Sequence, residues 1–207
     1  MRPSNPSHLI TFLPSCCFSL RLRLGRLVGL LFLIPWLSAS EAIASETRFD
    51  GTVIFLRHAL APGTGDPENF DLDNCQTQRN LDEYGRQQAL AIGKRIAAAE
   101  LNLAGIYSSE WCRCLETARL LDLGAVTPFD GLNSFYQKHA PRDATLIKLK
   151  SMIAKLPHDG APVIMVTHYV TIQAFANIAV PSGGLVLYDL TTGYAREMSL
   201  TDFRPQS

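Results

Sequence analysis

The chain has 207 residues, of which 47% are hydrophobic and 18% are charged, and its formal net charge is zero. This composition is typical of one soluble globular domain with a sizeable core. No block of like charges stands out, which argues against binding nucleic acid through a basic surface.

The first 44 residues have the layout of a secretory signal peptide. Arginines lead into an apolar run at 27–37, and the small residues Ala42 and Ala44 follow as an A-x-A cleavage site. We expect cleavage to leave one domain at 45–207, in the periplasm or secreted. We expect no stable membrane span after it, since an eleven-residue run interrupted by Pro35 is short for a bilayer. An uncleaved anchor and a start later than Met1 are the alternatives.

Three cysteines remain after such a cleavage: Cys75, Cys112 and Cys114. Disulfides persist in an oxidising compartment. Cys112 and Cys114 are two residues apart on a predicted helix, so their side chains point to different sides. Either one is open as the partner of Cys75, and the other is then a small buried hydrophobe. A metal site is not indicated, because the chain has no C-x-x-C pair with matching histidine spacing.

Strands and helices are predicted in alternation along the rest of the chain. Short apolar, β-branched runs predict strands, and apolar residues three or four apart predict helices. The predicted strands are 52–56, 103–107, 125–129, 162–166, 184–190 and 194–200. The predicted helices begin at Asn80, Ser109, Pro141 and Val170. A loop at 61–78, rich in Pro, Gly, Asp and Asn, has the length of loops that often carry function.

This alternation predicts an α/β fold: a three-layer sandwich with a mostly parallel central sheet and helices on both faces. Ligands in such folds bind outside the carboxyl ends of the strands. His58 and His168 each follow a predicted strand, and Arg113 follows a third. We therefore expect these three side chains to converge.

The converging residue types suit a phosphoryl group. Arginine presents a planar fork that matches two phosphate oxygens. A neutral imidazole can attack phosphorus when a hydrogen bond to its other nitrogen fixes the tautomer. Taken singly, each of these residues would be an ordinary core or surface residue; the interpretation depends on their combination.

Four segments together resemble the histidine phosphatase superfamily, which includes the phosphoglycerate-mutase-like enzymes. The segments are Arg57-His58-Ala59, Leu81-x-x-x-Gly85-x-x-Gln88-Ala89, Ser108-Ser109-x-x-x-Arg113-x-x-x-Thr117-Ala118 and Val166-Thr167-His168. The likeness runs from about residue 51 to 200 and implies an exported, bacterial-type member with the phosphoglycerate-mutase-like fold.

The resemblance also implies roles for four residues. His58 would become phosphohistidine, Arg57 and Arg113 would bind the phosphate oxygens, and His168 would donate a further hydrogen bond. It implies no metal and no organic cofactor. The expected activity is a phosphohydrolase acting on a small phosphorylated substrate or a phosphorylated envelope component.

Some positions depart from the family pattern. Many members have a glutamate as proton donor after the third strand, where this chain has Asn133. Asp66 and His139 are candidate replacements, although a turn-forming role is favoured for Asp66. Tyr169 and the valine after it stand where glycines are expected, so they should crowd the pocket. For Arg79, a surface salt bridge is favoured over substrate contact.

The missing acid leaves room for other interpretations. It favours good leaving groups, such as acyl phosphates, phosphohistidine or aryl phosphates. It also allows a phosphate-binding protein with negligible turnover, although binding alone would not require a nucleophile at His58. A phosphomutase is the weaker alternative.

Overall fold

The computed structural model describes residues 49–204, and the signal peptide expected at 1–44 lies outside them. Within them, strands and helices alternate as predicted. The strands are β1 (Thr52–Arg57), β2 (Gly105–Ser108), β3 (Val126–Pro128), β4 (Val163–Thr167), β5 (Leu185–Asp189) and β6 (Ala195–Met198). The α-helices are α1 (Glu83–Ala97), α2 (Cys112–Leu120), α3 (Arg142–Ile153) and α4 (Tyr169–Ala176). Short 3-10 helices lie at Cys75–Thr77, Asp130–Leu132, Tyr136–Lys138 and Leu200–Asp202.

All six strands belong to one sheet in the order β3-β2-β4-β1-β5-β6. The first four in that order run parallel, whereas β5 is antiparallel to both β1 and β6. This arrangement confirms the predicted mostly parallel sheet. The register pairs Arg57 at the end of β1 with Thr167 at the end of β4, so these two strands finish side by side.

The interior strand β1 shows why the fold has three layers. Its residues Val53, Ile54, Phe55 and Leu56 have no exposed surface. Ile54 and Leu56 belong to the core under α1 and α2, whereas Val53 and Phe55 belong to the core under α3 and α4. A parallel strand buried on both faces needs such a continuous apolar run. The predicted helices on both faces are thus confirmed.

Helix α1 begins later than predicted. The carboxylate of Asp82 accepts a hydrogen bond from the amide of Gly85 at 2.7 Å and caps the helix. Asn80, the predicted cap, instead donates its side-chain amide to carbonyls of the preceding loop. The Asn80 prediction is therefore wrong: Asn and Asp both cap well, and tertiary contacts of the loop decide between neighbouring candidates.

Helix α2 begins after Trp111, which makes no capping bond with its side chain. The predicted cap, Ser109, lies two residues too early, and its hydroxyl contacts His168. The Ser109 prediction is therefore wrong: its hydroxyl accepts from the amide of Trp111 at 3.3 Å, but α2 starts only after Trp111.

The disulfide joins Cys75 to Cys112, with the two Cα atoms 5.7 Å apart. Cys114 remains a free thiol and is buried. The structure thus selects one of the two pairings that the sequence leaves open. The crosslink ties the 61–78 loop to the first turn of α2. None of the helices between residues 49 and 204 combines the length and apolar character that a membrane span requires.

Candidate active site

Three neighbouring parallel strands end at one cavity of about 190 Å³. His58 follows β1, His168 follows β4, and the turn after β2 leads to Arg113, the second residue of α2. These three side chains and that of Arg57 line the cavity together. The convergence expected from the strand ends is therefore present.

Three other motif residues hold the backbone directly after the first histidine in place. The hydroxyl of Thr117 accepts from the amide of Ala59 at 3.0 Å, and the side-chain oxygen of Gln88 accepts from the amide of Leu60 at 2.9 Å. At Gly85, a Cβ atom would lie 2.0 Å from the carbonyl oxygen of Leu60. Only glycine therefore lets α1 approach this segment so closely.

His58 is held as a neutral imidazole with its Nε2 unprotonated. Its Nδ1 lies 2.8 Å from the carbonyl oxygen of Ala59. Because a carbonyl only accepts, Nδ1 carries the proton and Nε2 keeps its lone pair. The Nε of Arg113 donates to that Nε2 at 3.3 Å. Burial and, next, the charge of Arg113 lower the pKa of His58 to about 3.

Arg113 uses two different edges of its guanidinium group. Nη1 and Nη2 bind the two carboxylate oxygens of Asp66 at 2.7 and 3.2 Å. The other edge faces the histidines, with Nε 3.3 Å from Nε2 of His58 and Nη2 3.5 Å from Nδ1 of His168. The ion pair thus holds Arg113 from one side and leaves the histidine-facing edge for two phosphate oxygens.

Asp66 is an anion that anchors its loop. Besides Arg113, the amide of Arg79 and the indole of Trp111 donate to its carboxylate at 3.0 and 3.1 Å. Burial raises the pKa of this carboxyl, but the hydrogen bonds from Arg113 and Arg79 outweigh burial and bring the pKa below its usual value. Asp66 therefore has no proton to give at neutral pH, and its contacts are tertiary rather than those of a local turn.

Arg57 offers unpaired donors to the cavity. Its Nη1 donates to the carbonyl of Val180 at 2.9 Å, and its guanidinium lies 5.5 Å from the ring centre of Tyr169. Its Nε is buried and has no partner among the described residues. A buried donor without an acceptor is costly, so an anion in the cavity would satisfy it.

His168 is oriented from behind by Ser109. Nε2 of His168 lies 2.9 Å from the Ser109 hydroxyl, which donates onward to the side-chain oxygen of Asn133 at 3.1 Å. Nε2 therefore carries the proton, and Nδ1 faces Arg113. Burial and, next, the charge of Arg113 hold the pKa of His168 well below its usual value. The thiol of Cys114 packs against this ring, and burial raises its pKa to about 12.

Asn133 does not line the cavity. Its side-chain oxygen accepts from the amide of Glu110 at 2.9 Å, and its nitrogen donates to the Glu110 carboxylate at 2.7 Å. The residue at the expected acid position thus belongs to a chain of hydrogen bonds behind His168. This role of Ser109 and Glu110 does not follow from the sequence pattern, in which the S-S element of the motif is the available signal for Ser109.

The remaining candidate side chains differ in position. His139 stacks on Phe70 with ring centres 4.2 Å apart and lies outside the cavity lining. Tyr169 and Val170 line the cavity beside His168, as expected. Arg79 also lines it and binds two backbone carbonyls, so the favoured surface salt bridge is wrong. Of the described residues, no aspartate or glutamate lines the cavity.

Comparison with known proteins agrees with this geometry. The family model described as histidine phosphatase superfamily (branch 1) matches residues 53–134. This segment holds the first histidine, the arginine of α2 and Asn133. Over this segment the chain is similar to the histidine phosphatase superfamily. No curated protein gives a significant match.

Solved structures show the same fold at low sequence identity. A protein from Agrobacterium tumefaciens, provisionally identified as the phosphohistidine phosphatase SixA, is 23% identical with a TM-score of 0.50, covering 73% of this chain and 97% of its own. The protein histidine phosphatase SixA complexed with tungstate is 12% identical with a TM-score of 0.50, at 74% and 99% coverage. Phosphoglycerate mutase from Bacillus anthracis str. Sterne is 14% identical with a TM-score of 0.50, at 73% and 94% coverage.

Proposed function

We propose that the chain is an exported phosphohydrolase that cleaves phosphate esters or anhydrides through a phosphohistidine on His58. The orientation of His58 carries this proposal, since its Nε2 lone pair faces the edge of Arg113 that Asp66 leaves available. A phosphoryl group held by that edge would have its phosphorus beside Nε2. The match of residues 53–134 to the superfamily's model supports phosphatase chemistry in general.

The reaction would proceed in two displacements. Nε2 of His58 attacks phosphorus, and the bond to the leaving group breaks with its electron pair on the leaving atom. Arg57 and Arg113 stabilise the charge on the three remaining oxygens. Water then attacks the phosphohistidine, and the P–N electron pair returns to Nε2. Inorganic phosphate is released, and the proton of the water goes to solvent.

His168 would assist by donating to the phosphoryl group from Nδ1. This requires a proton on Nδ1, which faces the cavity, while the Ser109 hydroxyl turns to donate to Nε2 instead of to Asn133. Ser109 can serve both arrangements because a hydroxyl both donates and accepts. A bound phosphoryl dianion would favour that proton.

The substrates would be those with good leaving groups. Since no carboxyl group among the described residues lines the cavity, protonation of a poor leaving group has no obvious donor there. Acyl phosphates, phosphohistidine and aryl phosphates leave with little protonation. Turnover of p-nitrophenyl phosphate should therefore far exceed that of an alkyl phosphate, and equal rates would contradict this part of the proposal.

Export is supported by two observations. The layout of residues 1–44 fits a signal peptide, and the Cys75–Cys112 disulfide suits an oxidising compartment. The domain at 45–207 would then act in the periplasm or outside the cell on a small phosphorylated molecule or a phosphorylated envelope component. Cell fractionation with N-terminal sequencing tests this; a full-length chain in the cytoplasm would contradict it.

The decisive experiment is hydrolysis of p-nitrophenyl phosphate by the wild-type protein and by His58→Ala. His139→Ala is the matched control, since that histidine lies outside the cavity. We expect His58→Ala to abolish turnover and the acid-labile phosphoenzyme seen by ³¹P NMR, and His139→Ala to retain both. Turnover without His58 would refute the phosphohistidine route.

A phosphate-binding protein with negligible turnover is the second candidate, and it is favoured because none of the carboxyl groups within residues 49–204 lines the cavity. Phosphate binding without any hydrolysis of aryl or acyl phosphates would identify it. A phosphomutase would instead pass the phosphoryl group to a second hydroxyl. Release of inorganic phosphate in step with loss of substrate would exclude that alternative.

A further inference from the structure

The loop after His58 wraps around the side chain of Arg79. Nε of Arg79 donates to the carbonyl of Gly65 at 2.8 Å, and Nη1 donates to the carbonyl of Ala61. The guanidinium thus joins both ends of a five-residue turn. This fixes the position of the turn and of the arginine together, at one side of the cavity.

Donors remain unused around this turn. Nη2 of Arg79 has no acceptor among the described residues, and neither do the backbone amides of Gly63, Thr64 and Gly65. The next amide, that of Asp66, is already bonded to a side chain at 2.7 Å. All four residues with free donors line the same cavity as the two histidines.

The backbone of the turn suits an anion. Gly63 and Gly65 have φ angles of +89° and +74°, the region that glycine adopts readily. Turns of this kind, with successive free amides, form anion-binding concavities. Arg79 adds a full positive charge beside them, and no carboxylate neutralises it by direct contact within residues 49–204.

The cavity is lined by one arginine more than the two assigned to the phosphoryl group beside His58. Three arginines line it, and both histidines are held neutral by burial and by the neighbouring arginines. Of these three arginines, the carboxylate of Asp66 forms a salt bridge only with Arg113. Arg57 and Arg113 are the arginines assigned to the phosphoryl group beside His58, which leaves Arg79 without an assigned anion.

We propose that Arg79 and the turn at 63–65 form a subsite for a second anionic group of the substrate. The substrate class would be phosphorylated molecules with a carboxylate or another phosphate close to the transferred phosphoryl group. This deepens the proposed function and rests on it only for the placement of that phosphoryl group beside His58.

Binding of non-hydrolysable ligands tests the subsite without any turnover. Methylphosphonate carries one anionic group, phosphonoacetate adds a carboxylate, and methylenediphosphonate adds a second phosphonate. Calorimetry on the wild-type protein should show the two larger ligands binding about tenfold tighter or more than methylphosphonate, since charge-assisted hydrogen bonds are worth that much. Equal affinities for all three in the wild type overturn the proposal.

Arg79→Gln should reduce the preference, taken as the ratio to the same variant's own methylphosphonate affinity, to about twofold or less. Arg79→Lys keeps the charge but loses the fork and should show an intermediate preference. Arg86→Gln is the control, since Arg86 pairs with Glu116 away from the cavity and should keep the full preference. A full preference retained in Arg79→Gln overturns the proposal even though the wild type discriminates.

The outcome for methylphosphonate separates the two proposals. If it binds and the larger ligands gain nothing, the second subsite fails while the phosphoryl site stands. If none of the three binds and p-nitrophenyl phosphate is not hydrolysed, the phosphoryl site itself fails. Because the wild-type comparison needs no substitution, a variant that does not fold leaves the test intact.

Discussion

Replacing Asp66 by asparagine tests whether the buried ion pair with Arg113 supports the site. The two side chains are 3% and 4% exposed, and their closest atoms are 2.7 Å apart. Removing one partner of a buried pair costs about 3–5 kcal/mol, because the other charge stays buried without compensation. In a protein of this size each kcal/mol shifts Tm by about 2–4 °C. We therefore expect Asp66→Asn to lower Tm by about 6–20 °C.

Asp130→Asn is the matched control. Asp130 also pairs with a cation, Lys148, but the side chain of Asp130 is 44% exposed and that of Lys148 is 53% exposed. Exposed pairs contribute at most about 1 kcal/mol, so Tm should fall by less than about 4 °C. Thermal unfolding at pH 7 without reductant measures both variants. A change of less than about 2 °C in Asp66→Asn would refute the reasoning from burial.

Acid should remove the difference between wild type and Asp66→Asn. The pKa of Asp66 lies below its ordinary value, so the folded carboxylate contributes stability above about pH 4 and loses it as the pH falls through the lowered pKa. Kinetics add a second readout. A positioning residue should affect aryl and alkyl phosphates equally, whereas loss of a general acid would slow alkyl phosphates selectively.

The neutral histidine, the disulfide and the closely packed glycine each allow a further measurement. With the pKa of His58 in the unliganded protein lowered to about 3, kcat/KM for p-nitrophenyl phosphate should stay level from about pH 8 to about pH 6, and an acid limb near 6.5 would contradict this. Because the unfolded imidazole takes up its proton first, stability should decline as the pH falls below about 6.5. Replacing Cys75 and Cys112 by serine should lower the unfolding free energy by about 4 kcal/mol for a separation of 37 residues, and urea unfolding that matches the wild type would refute this. Gly85→Ala and Gly93→Ala each bring a methyl group to 2.0 Å from a backbone carbonyl, so both should lower the free energy of unfolding by about 1–3 kcal/mol. Only Gly85→Ala should also reduce kcat/KM, by about tenfold. Equal losses of activity in the two variants would count against a link between Gly85 and His58.

The layers of the fold were predictable because hydrophobic periodicity reports burial directly. The fully buried run 53–56 reads as an interior strand, and its neighbours in the sheet show similar runs. Once strands alternate with helices, the strand ends lie at one edge, and His58 and His168 must approach each other. These steps need only local patterns and one general rule of topology.

Contacts between distant segments were not predictable in the same way. Asp66 and Arg113 are 47 residues apart, and nothing local in the G-D-P segment indicates a buried ion pair. Ser109 fits a helix cap by sequence, yet the imidazole of His168 competes for its hydroxyl. Asn133 matches the expected acid position in the sequence, but Glu110 and Ser109 hold its side chain away from the cavity. Such choices depend on partners that only the folded chain supplies.

The choice of cysteine sets the rotation of α2. Successive residues of a helix are turned by about 100°, so Cys112 and Cys114 differ by about 200° around the axis. Arg113 lies between them in sequence. A chain crosslinked through Cys114 would need that helix turned roughly half a revolution, which would carry the guanidinium away from both imidazoles. The pairing of the thiols therefore reports the orientation of Arg113. If Cys114 still reacts with a thiol reagent after unfolding, while Cys75 and Cys112 do not, the preparation holds the isomer whose arginine faces the histidines.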